Sequence, residues 1–439
     1  MEPVSRLSHD PLPKVITTNT LPSDTLLSKH LHSTLLELAR VSALLLVISI
    51  EPLLSKPHIY IVDFSCFKPP NFCRVPTSSY LEHASMIEPF DRKSIDFMAK
   101  LLKSSGLGEQ THLSPAFCYI PPIAHLQESI KEVHMVLFPV MEDLLSNTKL
   151  SPRGIDILIV NCSSLCSSPS LSSIIINKYS MRDDIKSFNV SGMGCSAGIL
   201  SIHLAQILLK VHKNSYAIVL STEITSAGLY AGNDRSKLLV NCIFRMGGAA
   251  ILLTNKEEMK KTSKAFEDRA YLATVREEDA NGALGVSVSH DLVQVVAETV
   301  PSNITVLGSC ILPFLEKFKC EVSMFRKRYI SKSAEVYVPD FKKVIQHFVL
   351  PASGRSWIRE IGKGLKLGKR DTEASLMTLR RFGNQMKKGD KVWQLGIGSG
   401  PKCISFVWEC NRPIVGESMK GPWADCIDEY PVHSVDEDN

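Results

Sequence analysis

From Ile155 to Ser221 the chain alternates between two periodicities, and that alternation constrains its fold more than any other feature. Ile155–Val160, Ser187–Val190 and Tyr216–Ser221 read as short strands, the first and last almost wholly apolar. Leu171–Tyr179 and Ser196–Val211 lie between them and repeat apolar residues at helical spacing. Strands separated by helices pair in parallel, with the helices covering the sheet. Ile59–Phe64, which runs into Lys68-Pro-Pro70, and Ala249–Leu253 are two further strands, and residues 80–105 and 125–148 are helical in pattern.

A second block repeats the theme. A helical region near residues 289–300 leads into Asn303–Gly308, and Ser353 opens another helix. Lys391–Leu395 and Cys403–Trp408 are strands around a turn, Gly396-Ile-Gly-Ser-Gly400. Glu257–Arg269 is highly charged and reads as a surface connection. The expected organisation is a tail and apolar helix over 1–57, one α/β half over 58–255 and a second over 256–439, with no direct internal repeat.

With 44% apolar and 22% charged residues over 439, the chain can bury a large core, which excludes collagen-like and wholly disordered readings. A net charge of +5 gives no case for a nucleic-acid partner. Twelve cysteines include no Cys-x-x-Cys pair, and Cys162 and Cys166 lack partners for a zinc site, so free thiols and no metal are expected. Residues 1–28 read as a flexible tail. The most apolar stretch, Leu35 to Leu54, is interrupted by Glu37, Arg40, Glu51 and Pro52. It suits either a membrane anchor or a buried amphipathic helix. The basic run Arg326-Lys-Arg328 suits an anionic membrane surface, a CoA phosphate or a plain solvated face.

The sharpest chemical feature is Asn189-Val-Ser-Gly-Met-Gly-Cys195-Ser-Ala-Gly198, set between a strand and a long apolar helix. Glycines let the backbone turn sharply and a substrate approach closely. A helix N-terminus favours thiolate over thiol, so the layout resembles a nucleophile elbow with Cys195 as the nucleophile. The second glycine-rich turn lacks the Gly-Lys-Ser/Thr of a phosphate loop. Its backbone N–H groups at Gly398, Ser399 and Gly400 suit an oxyanion or substrate-positioning role opposite Cys195.

Several motifs in one order resemble the plant 3-ketoacyl-CoA synthases, the condensing enzymes of very-long-chain fatty acid elongation. They are Val62-Asp-Phe-Ser-Cys-Phe-Lys-Pro-Pro70, Gly106-Leu-Gly-Glu-Gln-Thr, Asn189–Gly198, Gly232-Asn-Asp-Arg-Ser236 and Phe244-Arg-Met-Gly-Gly-Ala-Ala250. Arg381-Phe-Gly-Asn384, Met386-Lys-Lys-Gly-Asp-Lys-Val-Trp393 and Pro422-Trp-Ala-Asp-Cys-Ile-Asp428 complete the set. The resemblance implies an α/β thiolase-like fold: two similar βαβαβ-type halves with five-stranded mixed sheets packed around buried helices. It implies an acyltransferase that joins a long-chain acyl-CoA to malonyl-CoA through a Cys195 thioester, releasing CO2 and 3-oxoacyl-CoA. It also implies no cofactor beyond the CoA thioester substrates, a homodimer or a heterodimer with related condensing enzymes, and elongase reductases and dehydratase as partners. The implied location is the endoplasmic reticulum membrane, with the catalytic part facing the cytosol.

Carried over residue by residue, the family nucleophile is Cys195, its enolate-stabilising asparagine is Asn384 and one of its histidines is His347. The others are replaced. The family's His-Ala-Gly-Gly-Arg is Pro351-Ala-Ser-Gly-Arg355 here, its Leu-His-Arg-Phe-Gly-Asn is Leu379-Arg380-Arg-Phe-Gly-Asn384, and its Thr-His-Lys-Gly is Thr262-Ser263-Lys-Ala265. Proline has no side-chain donor for a thioester carbonyl, and Arg380 offers charge but no general base. A second reading therefore stands beside the first, a catalytically impaired relative that keeps the fold and binds acyl-CoA or an elongase partner. A chalcone-synthase-type polyketide enzyme shares the nucleophile but fits the motifs less well.

Overall fold

Ile157–Asn161 is buried at every residue, which only a strand in the middle of a covered sheet allows. The computed structural model describes residues 59–257, 263–269, 276–278, 284–286, 291–331, 333, 336–352, 354–380, 389–398 and 402–410. The expected anchor at 35–54 lies outside them. From Pro57 onward the chain forms one compact unit.

Strand β1 (Tyr60–Cys66) is followed by helices α1 (Thr77–Ser85), α2 (Arg92–Ser105) and α3 (Leu126–Thr148). Next come β2 (Ile157–Asn161), α4 (Leu171–Lys178), β3 (Lys186–Val190), α5 (Ala197–Val211), β4 (Tyr216–Glu223), α6 (Arg235–Ile243) and β5 (Gly247–Thr254). Local signals set the ends: Asp91 caps α2 by accepting the Ser94 N–H at 2.7 Å, and Gly106 stops it at φ 88°. The five strands form a mixed sheet in the order β1-β5-β4-β2-β3, with β2 parallel to β3 and β4, and β5 antiparallel to β4 and β1.

The later residues add β6 (Ser263–Arg269), β7 (Arg276–Glu278), β8 (Leu284–Val286), α7 (Asp291–Ile311) and α8 (Phe314–Phe325). A π-helical turn, Arg326–Ile330, extends α8. β9 (His347–Val349), α9 (Arg355–Gly364), α10 (Lys369–Arg380), β10 (Lys391–Gly398) and β11 (Lys402–Glu409) follow. Among the described residues the second sheet has four strands, β6-β11-β10-β9, with β9 parallel to β10 and the other pairs antiparallel.

Three sequence expectations change here. Ser263–Arg269 is no surface connection: it is a strand whose seven residues pair with β11, at the edge of the sheet among the described residues, a position where charged side chains are tolerated. Asn303–Gly308 continues α7 through Pro301 instead of starting a new element. Gly396, Ile397 and Gly398 belong to β10, not to the turn after it.

Helix α5 carries an apolar stretch, Gly194–Val211, long enough to cross a membrane, but it is a core helix. Ile199, Ile202, Ala205 and Leu209 pack in one cluster with Ile157, Ile159, Ala217 and Val219 of the first sheet and with Ile404 and Phe406 of the second. The helix that opens at the cysteine turn is thereby clamped between both sheets. Beneath the second sheet, Trp393 is buried against the rings of Phe341 and Phe348.

Candidate active site

The parallel strands β3, β2 and β4 end side by side, at Val190, Asn161 and Glu223. The carboxyl ends of parallel strands are where α/β sheets present their chemistry. After β3 the backbone turns through Gly192 at φ 70° and Gly194 at φ 57°, left-handed conformations that glycine adopts at little cost. A single 3-10 turn, Gly194–Ser196, then delivers Cys195 to the first turn of α5.

Neighbours hold this turn from below. Ser196, fully buried, donates its hydroxyl to the Met193 carbonyl at 2.8 Å, and Ser163 donates to the Gly194 carbonyl at 3.2 Å. Ser163 is fixed in turn by Glu223, whose carboxylate accepts the N–H groups of Ser163 at 2.6 Å and Ser164 at 3.0 Å. The residues after Glu223 are secured from α3: the buried Glu132 carboxylate accepts the N–H and hydroxyl of Thr225 and the N–H of Ser226 at 2.7–2.9 Å. A chain of short polar contacts thus fixes the loops around Cys195.

The thiol does not follow the helix-dipole expectation. Cys195 reaches solvent, yet the protein packed around it pushes its thiol up from the ordinary value; the Glu223 charge adds to the rise, and its own backbone N–H opposes it. Desolvation and the like charge of Glu223 therefore work against the thiolate that a helix start favours.

Gly398 is brought directly against the turn. A Cβ on Gly398 would collide with the backbone nitrogen and hydroxyl of Ser196 and with the Met193 carbonyl, and one on Gly396 would meet the Ile199 side chain at 2.5 Å. The two glycines let β10 lie across the entry of α5. Ser399, Gly400 and Asn384 lie outside the described residues.

His347 is not brought to Cys195. It pairs with Val392, six residues before Gly398 on β10, which is about 20 Å along a strand. Its Nε2 is instead 2.8 Å from an Asp390 carboxylate oxygen. Ser263 pairs with Trp408, whose partner on β10 is again Val392, so it also stands at the far end. Pro351 follows the end of β9, a strand that runs in the direction of Gly398, and Arg380 closes α10. Sequence reasoning missed Glu223 and Ser163; the only signal was a carboxylate closing the apolar run Tyr216–Ser221.

The profile of the FAE1/type III polyketide synthase-like family matches residues 50–329. 3-Ketoacyl-CoA synthase 5 of Arabidopsis thaliana is 44% identical over 431 residues, covering 92% of this chain and 87% of that protein. 3-Ketoacyl-CoA synthase 6 of the same plant is 43% identical over 420 residues, covering 89% of this chain and 84% of that protein. Among solved structures, CsyB complexed with CoA-SH superposes at TM-score 0.60 with 15% identity, over 80% of this chain and 100% of that one. A fungal type III polyketide synthase, ORAS, superposes equally at 14% identity, over 81% and 100%. Identities this low speak for the fold alone, the thiolase-like architecture of those enzymes. The close sequence relatives go further: the chain belongs to the FAE1/type III polyketide synthase-like family, among its 3-ketoacyl-CoA synthases.

Proposed function

We propose that this chain joins a long-chain acyl-CoA to malonyl-CoA, as the names of its relatives suggest, with Cys195 as the acyl carrier. The observation that carries the proposal is the cysteine turn itself: Cys195 opens a helix clamped between two sheets, with the glycine end of β10 laid across it.

In the first step the Cys195 sulfur attacks the acyl thioester carbonyl, the bond to CoA breaks, and the thiol proton ends on the departing CoA sulfur. Malonyl-CoA then loses its carboxylate as CO2, and the electron pair of that bond becomes an enolate at the α-carbon. The enolate attacks the Cys195 thioester, Cys195 leaves as thiolate, and 3-oxoacyl-CoA is released. The N–H groups of Gly398, Ser399 and Gly400 stabilise the developing oxyanion, and the Asn384 amide stabilises the enolate. His347 has no place in this scheme, because β10 holds it about 20 Å from the Gly398 end. Pro351 withholds a donor from the malonyl carbonyl, so decarboxylation is the slow step, with a single such donor worth on the order of 10²–10³ in rate.

The same reading includes the two halves at 58–255 and 256–439, pairing with a second condensing enzyme, and work beside elongase reductases and a dehydratase at the cytosolic face of the endoplasmic reticulum. The test is mass spectrometry after incubation with a long-chain acyl-CoA, with and without malonyl-CoA, beside Cys195→Ala. The expected result is an acyl adduct on Cys195 that malonyl-CoA discharges as 3-oxoacyl-CoA. An adduct that persists would give the chain acyl binding without condensation, and no adduct would sink the catalytic reading.

A further inference from the structure

Helix α8 keeps its polar anchor inside and its apolar face outside. Glu316, 1% exposed, accepts hydrogen bonds from the Tyr337 hydroxyl at 2.7 Å and the Asp340 N–H at 3.1 Å, and pairs with Lys343. That buried carboxylate fixes which side of the helix faces the protein. On the other side Phe314, Phe318, Val322 and Phe325 follow at helical spacing with Leu315 beside them, and each is about half exposed or more, up to 68%. The π-helical turn continues the stripe through Tyr329 and Ile330, the latter 72% exposed. Phe314 stacks on Phe318 with ring centroids 6.2 Å apart and Phe325 meets Tyr329 at 4.7 Å, two aromatic pairs on either side of the exposed Val322. A run of this size is far outside the scattered apolar exposure normal for a protein surface.

Charge identifies what covers it. Arg326, Lys327 and Arg328 follow the last stripe residue of α8 in sequence and are all exposed, whereas Lys319 is drawn to the inner side by Glu316 at 3.6 Å. The one exposed acid on α8 is Glu321. We propose that α8 and its π-helical turn lie in the surface of an anionic lipid bilayer, with the aromatic stripe among the acyl chains and the basic run at the headgroups. A bilayer offers both halves of that complement at once: an apolar layer for the stripe and, at its edge, negative charge for the cations. Long basic side chains reach from a buried stem to the headgroup level, which suits their place at the end of the stripe.

The test uses the full chain carrying Phe325→Trp and vesicles of phosphatidylcholine and phosphatidylserine at roughly seven to three, with acyl chains brominated in a parallel set. The readout is local, so it is independent of how residues 1–56 behave toward the same vesicles. The expected result is a blue-shifted emission and quenching by the brominated lipid beyond that of the unsubstituted protein. Adding Phe318→Glu removes the quenching, and Arg326→Ala with Lys327→Ala and Arg328→Ala raises the lipid needed for half-quenching by about tenfold or more. Vesicle-bound protein whose new indole stays unquenched would overturn the proposal, as would equal quenching by phosphatidylcholine alone. A blue shift that grows with protein concentration in the absence of vesicles would also overturn it, and would assign the stripe to a second copy of the chain.

Discussion

At Cys195 two opposed influences meet, and their balance decides how the residue reacts. The helix start favours the thiolate, while burial and, after it, the Glu223 carboxylate push the thiol up from its ordinary value. Removing the charge without removing the side chain separates them. In Glu223→Gln the burial remains, so the pH midpoint for alkylation of Cys195 by iodoacetamide, followed on its own peptide by mass spectrometry, moves to lower pH. A midpoint that stays or rises would show that Glu223 acts only by holding Ser163 and Ser164. The sequence made Cys195 legible because glycines on both sides of one cysteine leave few other uses. Glu223 was not legible, since its influence depends on the parallel pairing of Asn161 with Ser221, which brings Ser163 and Glu223, two residues further on in each segment, together. His347 shows the converse: its family position suggested the site, and the register of β9 on β10 puts it at the other end of the strand.

Among the elements, the parallel βαβ units were readable because short apolar runs and helical runs alternate without interruption from Ile155 to Ser221. Strand β6 was not, because its sequence, Ser263-Lys-Ala-Phe-Glu-Asp-Arg269, carries the charge of a loop. Helix α8 misleads in another way: its apolar residues mark the face turned away from the protein, and the core contact is made by a carboxylate. The Lys343 ammonium, then the Tyr337 hydroxyl and the Asp340 N–H, hold the Glu316 carboxyl at about 2. A carboxyl whose pKa is depressed by folding stabilises the native state above its unfolded value and loses that contribution as pH falls toward the folded one. The stability gap between the parent and Glu316→Gln, measured as urea midpoints, is therefore full near neutral pH and shrinks from about pH 4.5 down toward about pH 2. A gap unchanged over that range would mean the ion pair contributes nothing and the glutamate acts through shape alone.

For the whole molecule from Pro57 onward, the cluster around α5 matters more than either sheet alone. Its members come from β2, β4 and β5 of the first sheet and from β11 of the second, with the α5 residues Ile199, Ile202, Ala205 and Leu209 between them. Neither sheet can leave without exposing a helix face, so burial of one helix couples two sheets that share no strand. This coupling also protects the cysteine turn, since the residues that lock α5 in place follow Cys195 directly. Leu209 is 0% exposed and lies at the far end of the helix from Cys195. Leu209→Ala leaves the turn chemistry untouched, removes contacts within the shared cluster, and costs about 2–5 kcal/mol, the range for a buried leucine cut to alanine. Because the cluster belongs to both sheets, the loss lowers one common unfolding transition in calorimetry and in circular dichroism alike. If the melt instead split into two, with only the first sheet's transition lowered, the sheets would be separate folding units and α5 would belong to one of them.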